Sequence, residues 1–437
     1  MKERVIQFGE GNFLRGFVDY FLFKMTQKGL FEGKVTVVQP IAQGKVGLLN
    51  EQAGKYNLYL RGLEKGLLKT EHSLIDVISR GLNPYEDFEA FLQLAENKDY
   101  RFIISNTTEA GIAFDDTCSF DDRPAASFPG KLTQLLYRRF EKGLPGFIIL
   151  PCELIDNNAD ELKKHTLAYA QKWRLGQAFE NWLESENIFA NTLVDRIVTG
   201  YPEDEAMSLN PEDKLLNTAE LFHLWVIEGN FEDELPLQKA GFNVVWADDV
   251  GPYKKRKVRI LNGCHTAMVP AAISAGLETV KESMEDKDVS SFLQHCLYEE
   301  ILPAIGNSNE DRQFAADVLE RFRNPFIKHQ LRAIALNSVS KFAVRVLPSL
   351  LDYKNMYGDN PKGLTMALAF LINFYKNEKP QDLPQIIDFM KGAERAQILS
   401  SKDIWGCDLS FLLQDVESCL ELIDKKGVRE AMQWAIS

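Results

Sequence analysis

Short apolar runs dominate the first half of the chain, and apolar residues at helical spacing dominate the second. The rhythm changes near residue 249. Runs at 5–8, 34–39, 56–61, 75–78, 102–105 and 147–150 are rich in Val, Ile, Leu and Phe and read as buried strands. Segments 12–26, 85–96, 130–142 and 160–182 carry apolar positions three and four apart and read as helices. Strands alternating with helices predict a mainly parallel sheet. Two further strand-like runs lie at 191–198 and 242–247. Asp248-Asp-Val-Gly-Pro252 then gives a helix-start signal, its proline suited to the first turn. Beyond it the strand pattern fades. Helices are expected at 252–268, 287–302, 311–322, 325–350, 362–377, 409–422 and 427–435, with Pro270 ending or kinking the first.

The turn after the first strand carries the first candidate chemistry. Val5-Ile-Gln-Phe8 runs into Gly9-Glu10-Gly11 and then into a helix. Strand, glycine turn and helix together open a dinucleotide-binding unit. The glycines let the backbone approach a pyrophosphate, and the helix N-terminus faces its charge. Leu14 stands where a third glycine belongs, so an ordinary strand-to-helix turn remains the alternative. The candidate cofactor-binding residues here are Gly9, Glu10, Gly11, Asn12, Phe13, Leu14, Arg15 and Gly16. Asn106, Thr107 and Glu109 join them, on a polar loop at the carboxyl end of the 102–105 strand, where an open α/β sheet binds ligand. Gln39 and Pro40 stand where NAD-binding folds often place an acid, so the residues alone leave NAD against NADP open. The expected fold is an α/β N-terminal Rossmann-type dinucleotide-binding domain at 1–249, followed by a mostly α-helical substrate-binding and catalytic domain at 250–437.

Charge and cysteine usage narrow the class. The net charge is −13, from 63 acidic and 50 basic residues, with no long basic run to attract nucleic acid or an anionic membrane. Six scattered cysteines lack a CxxC pair, which argues against a disulfide framework or structural zinc and fits a reducing cytoplasm. No uncharged stretch is long enough for a transmembrane helix, and MKERVIQFGEG lacks the apolar core of a signal peptide. The expected partner is a small molecule, and oligomeric state is open.

Lys257-Val-Arg-Ile-Leu-Asn262-Gly-Cys-His265 carries the second candidate chemistry. On an ideal helix Asn262 lies about 140° from Lys257 and His265 about 80°, with Arg259 roughly opposite. Hydride addition to a ketone leaves an alkoxide that needs a proton. A lysine can supply it if burial or nearby cations lower its pKa. Lys254, Lys255 and Arg256 provide such charge. Asn262 can donate to the oxyanion, and His265 can bind a hydroxyl or orient the lysine. A solvated basic face and a structural histidine are the plain alternatives. Tyr253 and Lys257 also make a YxxxK spacing, but short-chain dehydrogenases place that pair inside the nucleotide domain. The adjacent Asp195-Arg196 pair is either internally paired or substrate-binding.

At this point the chain resembles the polyol-specific long-chain dehydrogenases, the mannitol dehydrogenase family. The runs that carry the resemblance are 5–20, 104–112, 146–158, 191–202, 252–267, 321–331 and 336–349, which together span nearly the whole chain. The family pattern Lys-x4-Asn-x2-His falls on Lys257, Asn262 and His265, and GxGxFxR falls on Gly9, Gly11, Phe13 and Arg15. The resemblance implies Lys257 as general acid/base, Asn262 in the oxyanion site, NAD as cofactor and a zinc-independent mechanism, with no metal ligands. It also matches Lys341 to a family lysine. Leu154 departs from the family's second oxyanion asparagine, and Lys254 from its glutamate. A lysine in place of that acid suits a substrate bearing a carboxylate. The expected reaction is reversible NADH reduction of a keto-uronate, D-tagaturonate to D-altronate, with Asp195, Arg196, Lys254 and Lys341 binding substrate. Fructuronate or mannitol chemistry, and a non-catalytic sugar-acid sensor, are the alternatives.

Overall fold

The computed structural model describes every residue of the chain except Glu109. It forms two compact units, Met1–Arg61 with Leu68–Gly251, and Gly62–Leu67 with Pro252–Ser437.

The first unit is built on a six-stranded sheet in the order Ile78–Leu82, Lys34–Val38, Glu3–Phe8, Phe102–Ser105, Ile148–Pro151, Ile188–Phe189. Every neighbouring pair is parallel. Numbered along the chain, that order is 3-2-1-4-5-6, the doubly wound arrangement of a Rossmann fold. Both faces are covered, which is why the strands read as continuous apolar runs. Val5, Val37 and Ile104 pack with Phe17 and Phe21 on one side. Ile6, Phe8 and Ile103 pack with Phe91, Phe128 and Leu132 on the other.

Several boundaries differ from the pattern. The run at 75–78 is a junction: Leu67–Ile75 ends there and Ile78–Leu82 begins. Leu67–Ile75 is an edge strand of a second sheet and largely exposed, so its sequence lacks an apolar run. The single helix expected at 160–182 is two, Asn158–Lys172 and Gln177–Ser185, broken where Arg174 and Gly176 take φ values of 54° and 96°. The helix expected at 12–26 breaks at Phe17 into Asn12–Gly16 and Val18–Gln27.

In the second unit every named element from Gly251 onward is helical. Gly263–Ser274 and Lys362–Asn377 are buried around almost their whole circumference, the mark of central helices. Buried Glu300 accepts from the Gly363 and Leu364 N–H groups at 2.6 and 2.7 Å, placing an anion at the positive end of the second helix. Pro270 does not end the first: the helix runs through it to Ser274. Its neighbours Ala267 to Ala272 are at most 1% exposed, so packing holds the turn that lacks one backbone bond. The expected 325–350 helix is three, Leu331–Ile334, Ser338–Arg345 and Leu347–Tyr357. Short helices at Val280–Glu285, Pro384–Gly392, Arg395–Ser400 and Lys402–Trp405 carry too few turns to show a period.

Candidate active site

Glu3–Phe8 ends at the point where chain connections leave in opposite directions, the crevice in which such sheets bind ligands. Gly9 takes φ 120°, and a Cβ on it would lie 2.9 Å from the Asn106 carbonyl oxygen. Only glycine fits there. Gly11 caps the following helix at φ −66°, and nothing lies within 4 Å of where its Cβ would be. The space is open beside backbone N–H groups, as a pyrophosphate requires. The close packing that glycine at position 14 would allow is provided by Gly16, whose Cβ would sit 3.1 Å from Val198.

The glycine turn divides the eight residues expected there. Gly9, Glu10 and Gly11 form the turn itself, and Asn12 and Phe13 are half-buried. Leu14, Arg15 and Gly16 face the core instead of a cofactor. Arg15 is a brace beneath the turn: Nε donates to the Glu10 carbonyl at 3.1 Å, Nη2 to Asn12 Oδ1 at 2.6 Å and Nη1 to the Leu215 carbonyl. Its guanidinium also lies 5.0 Å from the Tyr56 ring.

Across the crevice, Asn106 Nδ2 donates to the Cys152 carbonyl at 2.7 Å, and Thr107 bonds to Glu153. Glu109 lies outside the described residues. Gln39, in the place of the usual ribose-binding acid, donates to the Ile41 and Ala42 carbonyls at 2.9 and 3.1 Å, so it folds its own loop. Leu154 is 58% exposed at the place of the family's second asparagine.

Arg196 is buried and internally hydrogen-bonded. It is 5% exposed, and its guanidinium donates to the Phe222, Gly16 and Leu221 carbonyls, with His223 beside it at 3.2 Å. It stacks over Tyr20, 5.1 Å from the ring. Its donors are turned to the interior, bracing the glycine-turn helix at the Gly16 carbonyl. Burial, then the Arg196 charge, push the His223 imidazole down to about 3, so it is neutral: Nε2 accepts from the Asn243 N–H at 3.1 Å, which leaves the hydrogen on Nδ1, 3.3 Å from the Leu221 carbonyl. Asp195 is buried at the end of the strand Thr192–Asp195.

In the second unit, Lys257 ends the helix Gly251–Lys257, and Val258–Asn262 is a π-helical turn. The Gly263 N–H reaches the Val258 carbonyl, five residues back. A turn closed by a hydrogen bond to the fifth residue back is wider than an α-helical turn, so the angle between Lys257 and Asn262 is smaller than on an ideal helix. This replaces the ideal-helix angle and suits the Lys-x4-Asn spacing. Arg259 points away and pairs with Ser349 and Asp352, both at 2.9 Å. Lys254, Lys257 and Asn262 are half-buried.

His265, one turn further on, is 7% exposed and stacks on Phe322, with centroids 4.0 Å apart and planes 18° from parallel. His329 meets it edge-on at 5.1 Å. Burial first, and then His329, Arg321, Arg345 and Lys341, hold its pKa well below the usual histidine value. Its Nε2 is buried without a hydrogen-bond partner. Lys341 donates to the Ile334 carbonyl at 2.9 Å, and burial with the nearby Arg345 lowers its pKa. Sequence reasoning missed Phe322, His329 and Arg345. They lie inside the runs 321–331 and 336–349, but nothing in the spacing ties them to His265.

The model of the mannitol dehydrogenase Rossmann domain matches residues 3–239, and that of the mannitol dehydrogenase C-terminal domain matches 249–421. The chain belongs to the mannitol dehydrogenase family. Like other members it is an oxidoreductase, and the resemblance read from its motifs holds over its length. It is 44% identical to an altronate oxidoreductase of Escherichia coli, across 99% of this chain and 96% of that one. Among solved mannitol dehydrogenase relatives, a D-sorbitol dehydrogenase in substrate-free form superposes with a TM-score of 0.87 at 23% identity, covering 99% and 95% of the two chains. Mannitol 2-dehydrogenase of Pseudomonas fluorescens, in a ternary complex with NAD and D-mannitol, gives 0.74 at 21%, covering 99% and 94%. These two share the fold. Among the described residues, no helix is long and apolar enough to cross a membrane.

Proposed function

We propose that this member of the mannitol dehydrogenase family reversibly reduces D-tagaturonate to D-altronate with NADH. The observation that carries the reading is 44% identity to altronate oxidoreductase over 99% of the chain. The first unit is read as the cofactor-binding domain and the second as the substrate-binding and catalytic domain. The open space at Gly11 and the strained close approach at Gly9 fit a bound pyrophosphate. Gly9, Glu10, Gly11 and the backbone of Asn12 and Phe13 would hold it, with Asn106 and Thr107 across the crevice. When bound, the nicotinamide supplies the hydride.

Addition to the ketone carbon leaves an alkoxide. The Asn262 amide donates to that oxygen, and the Lys257 ammonium gives it a proton. In the oxidative direction Lys257 takes the proton back. The π turn between Lys257 and Asn262 supports this division of labour, because its widened backbone reduces the angle between them from that of an ideal helix. His265 is kept neutral, so its unpartnered Nε2 is an acceptor or donor for a substrate hydroxyl. Lys341 and Lys254 take the carboxylate, and Asp195 a hydroxyl. The scheme is zinc-independent: a lysine and an amide stabilise the charge that a metal would otherwise polarise.

NADH oxidation by the purified protein with tagaturonate beside fructuronate and fructose tests the reading. A kcat/KM about tenfold or more in favour of tagaturonate is expected. Preference for fructuronate or fructose would move the chain to another branch of the family. No turnover of any keto-uronate would favour a sugar-acid sensor on the same scaffold.

A further inference from the structure

Glu153 is 2% exposed at the carboxyl end of Ile148–Pro151, in the neighbouring strand to Phe102–Ser105. Oε1 accepts from the Thr107 N–H at 2.9 Å and from Thr107 Oγ1 at 3.0 Å. Oε2 accepts from Ser105 Oγ at 3.0 Å. Both oxygens are thus held by one segment of the adjacent strand and loop. Burial raises the Glu153 pKa and these donors oppose the rise. A buried carboxylate is costly to keep, and hydrogen bonds from Ser105 and Thr107 answer that cost.

The segment so held is under constraint from every side. Thr108, a β-branched residue, takes φ 80°, a conformation that persists only where its surroundings over-determine it. Gly111 lies so close that a Cβ on it would come within 2.0 Å of Thr107 Oγ1. Asn106, next to Thr107, fixes Cys152 with its side chain and abuts Gly9 with its backbone oxygen. Glu153 therefore connects the third wall of the crevice to the glycine turn through Thr107 and Asn106.

We propose that Glu153 is a positioning residue, which holds the 105–107 segment in the shape that receives the dinucleotide. The proposal rests on reading Asn106 and Thr107 as cofactor-binding, and it leaves the identity of the sugar acid aside. Its work is geometric rather than ionic. Glutamine can satisfy the same groups, with its oxygen on Thr107 and its amide donating to Ser105, whose hydroxyl reverses from donor to acceptor.

Direct titration of the intact protein with NADH, without sugar substrate, separates this proposal from the choice of substrate. Glu153→Ala is expected to raise the NADH dissociation constant about tenfold or more, a loss of about 1.4 kcal/mol per decade. Glu153→Gln is expected to stay within about threefold of the parent. Wild-type affinity in Glu153→Ala overturns the proposal, and so does a Gln variant as weak as the Ala variant. Should Glu153→Ala fail to fold, Ser105→Ala keeps the carboxylate and removes one of its donors, at a buried residue outside the proposed cofactor contacts. A Kd raised about threefold or more with an unchanged Tm supports positioning, and an unchanged Kd overturns it.

Discussion

The imidazole of His265 lies flat on the Phe322 ring, 4.0 Å between centroids, with the His265 Nε2 buried and unpartnered. Aromatic stacking fixes the ring plane, and burial beside cations keeps it neutral. In the proposed function His265 works by position and not by titration. His265→Gln should lower kcat/KM for the sugar acid about tenfold or more while leaving the inflections of the pH–rate profile where they were. Loss of an inflection near neutral pH would show that His265 titrates in catalysis.

Lys257 stands at the head of the π turn. Lys257→Ala should reduce kcat by about 100-fold or more, the usual contribution of a positioned acid/base, with NADH affinity little changed. Near-wild-type kcat would remove lysine from the mechanism.

Gly9 and Gly11 separate fold from binding. Gly9→Ala forces an L-residue into φ 120° and within 2.9 Å of Asn106, and should cost about 1–3 kcal/mol of stability. Gly11→Ala has ordinary φ and open space, so the melting temperature should hold while the NADH Kd rises. A Gly11→Ala protein that binds NADH normally would place the pyrophosphate elsewhere.

Arg196→Lys should behave as a structural change. Lysine cannot reproduce a fork donating to three carbonyls, so a loss of about 2–4 kcal/mol in stability is expected. A stable variant with only KM for substrate raised would restore the substrate-binding role.

The histidine behind Arg196 gives the molecule a pH-dependent element. The folded pKa of His223 is about 3, below its unfolded value near 6.5. The unfolded chain binds the extra proton in that window, so stability falls as pH drops from about 6.5. Asp19 acts in the opposite sense. Burial raises it to about 7, so its contribution is full below the unfolded carboxylate value and is lost as pH rises toward 7. Urea midpoints between pH 4 and about 6.5 should therefore rise more gently in His223→Gln and more steeply in Asp19→Asn than in the parent. Unaltered slopes in both would contradict these two assignments.

The sequence by itself determined the parallel sheet, the glycine turn, the helical second half and the order Lys-x4-Asn-x2-His. Each of these rests on local rules: the period of apolar residues, the freedom of glycine and the spacing of side chains along one element. Tertiary structure decided the rest. Packing sets which residues of 9–16 face the core, so Arg15 and Leu14 turned inward although the motif carries them. Arg196 could not be told from a substrate ligand until the carbonyls of Gly16, Leu221 and Phe222 surrounded it. The ideal helix put Asn262 well around from Lys257, and only the tertiary structure revealed the wider π turn between them. Phe322, His329 and Arg345 are far from His265 in sequence, and no periodicity reports such long-range neighbours. Glu153 carried no assigned role in the sequence, and became a tie between adjacent strands only when the sheet set Ile148–Pro151 beside Phe102–Ser105.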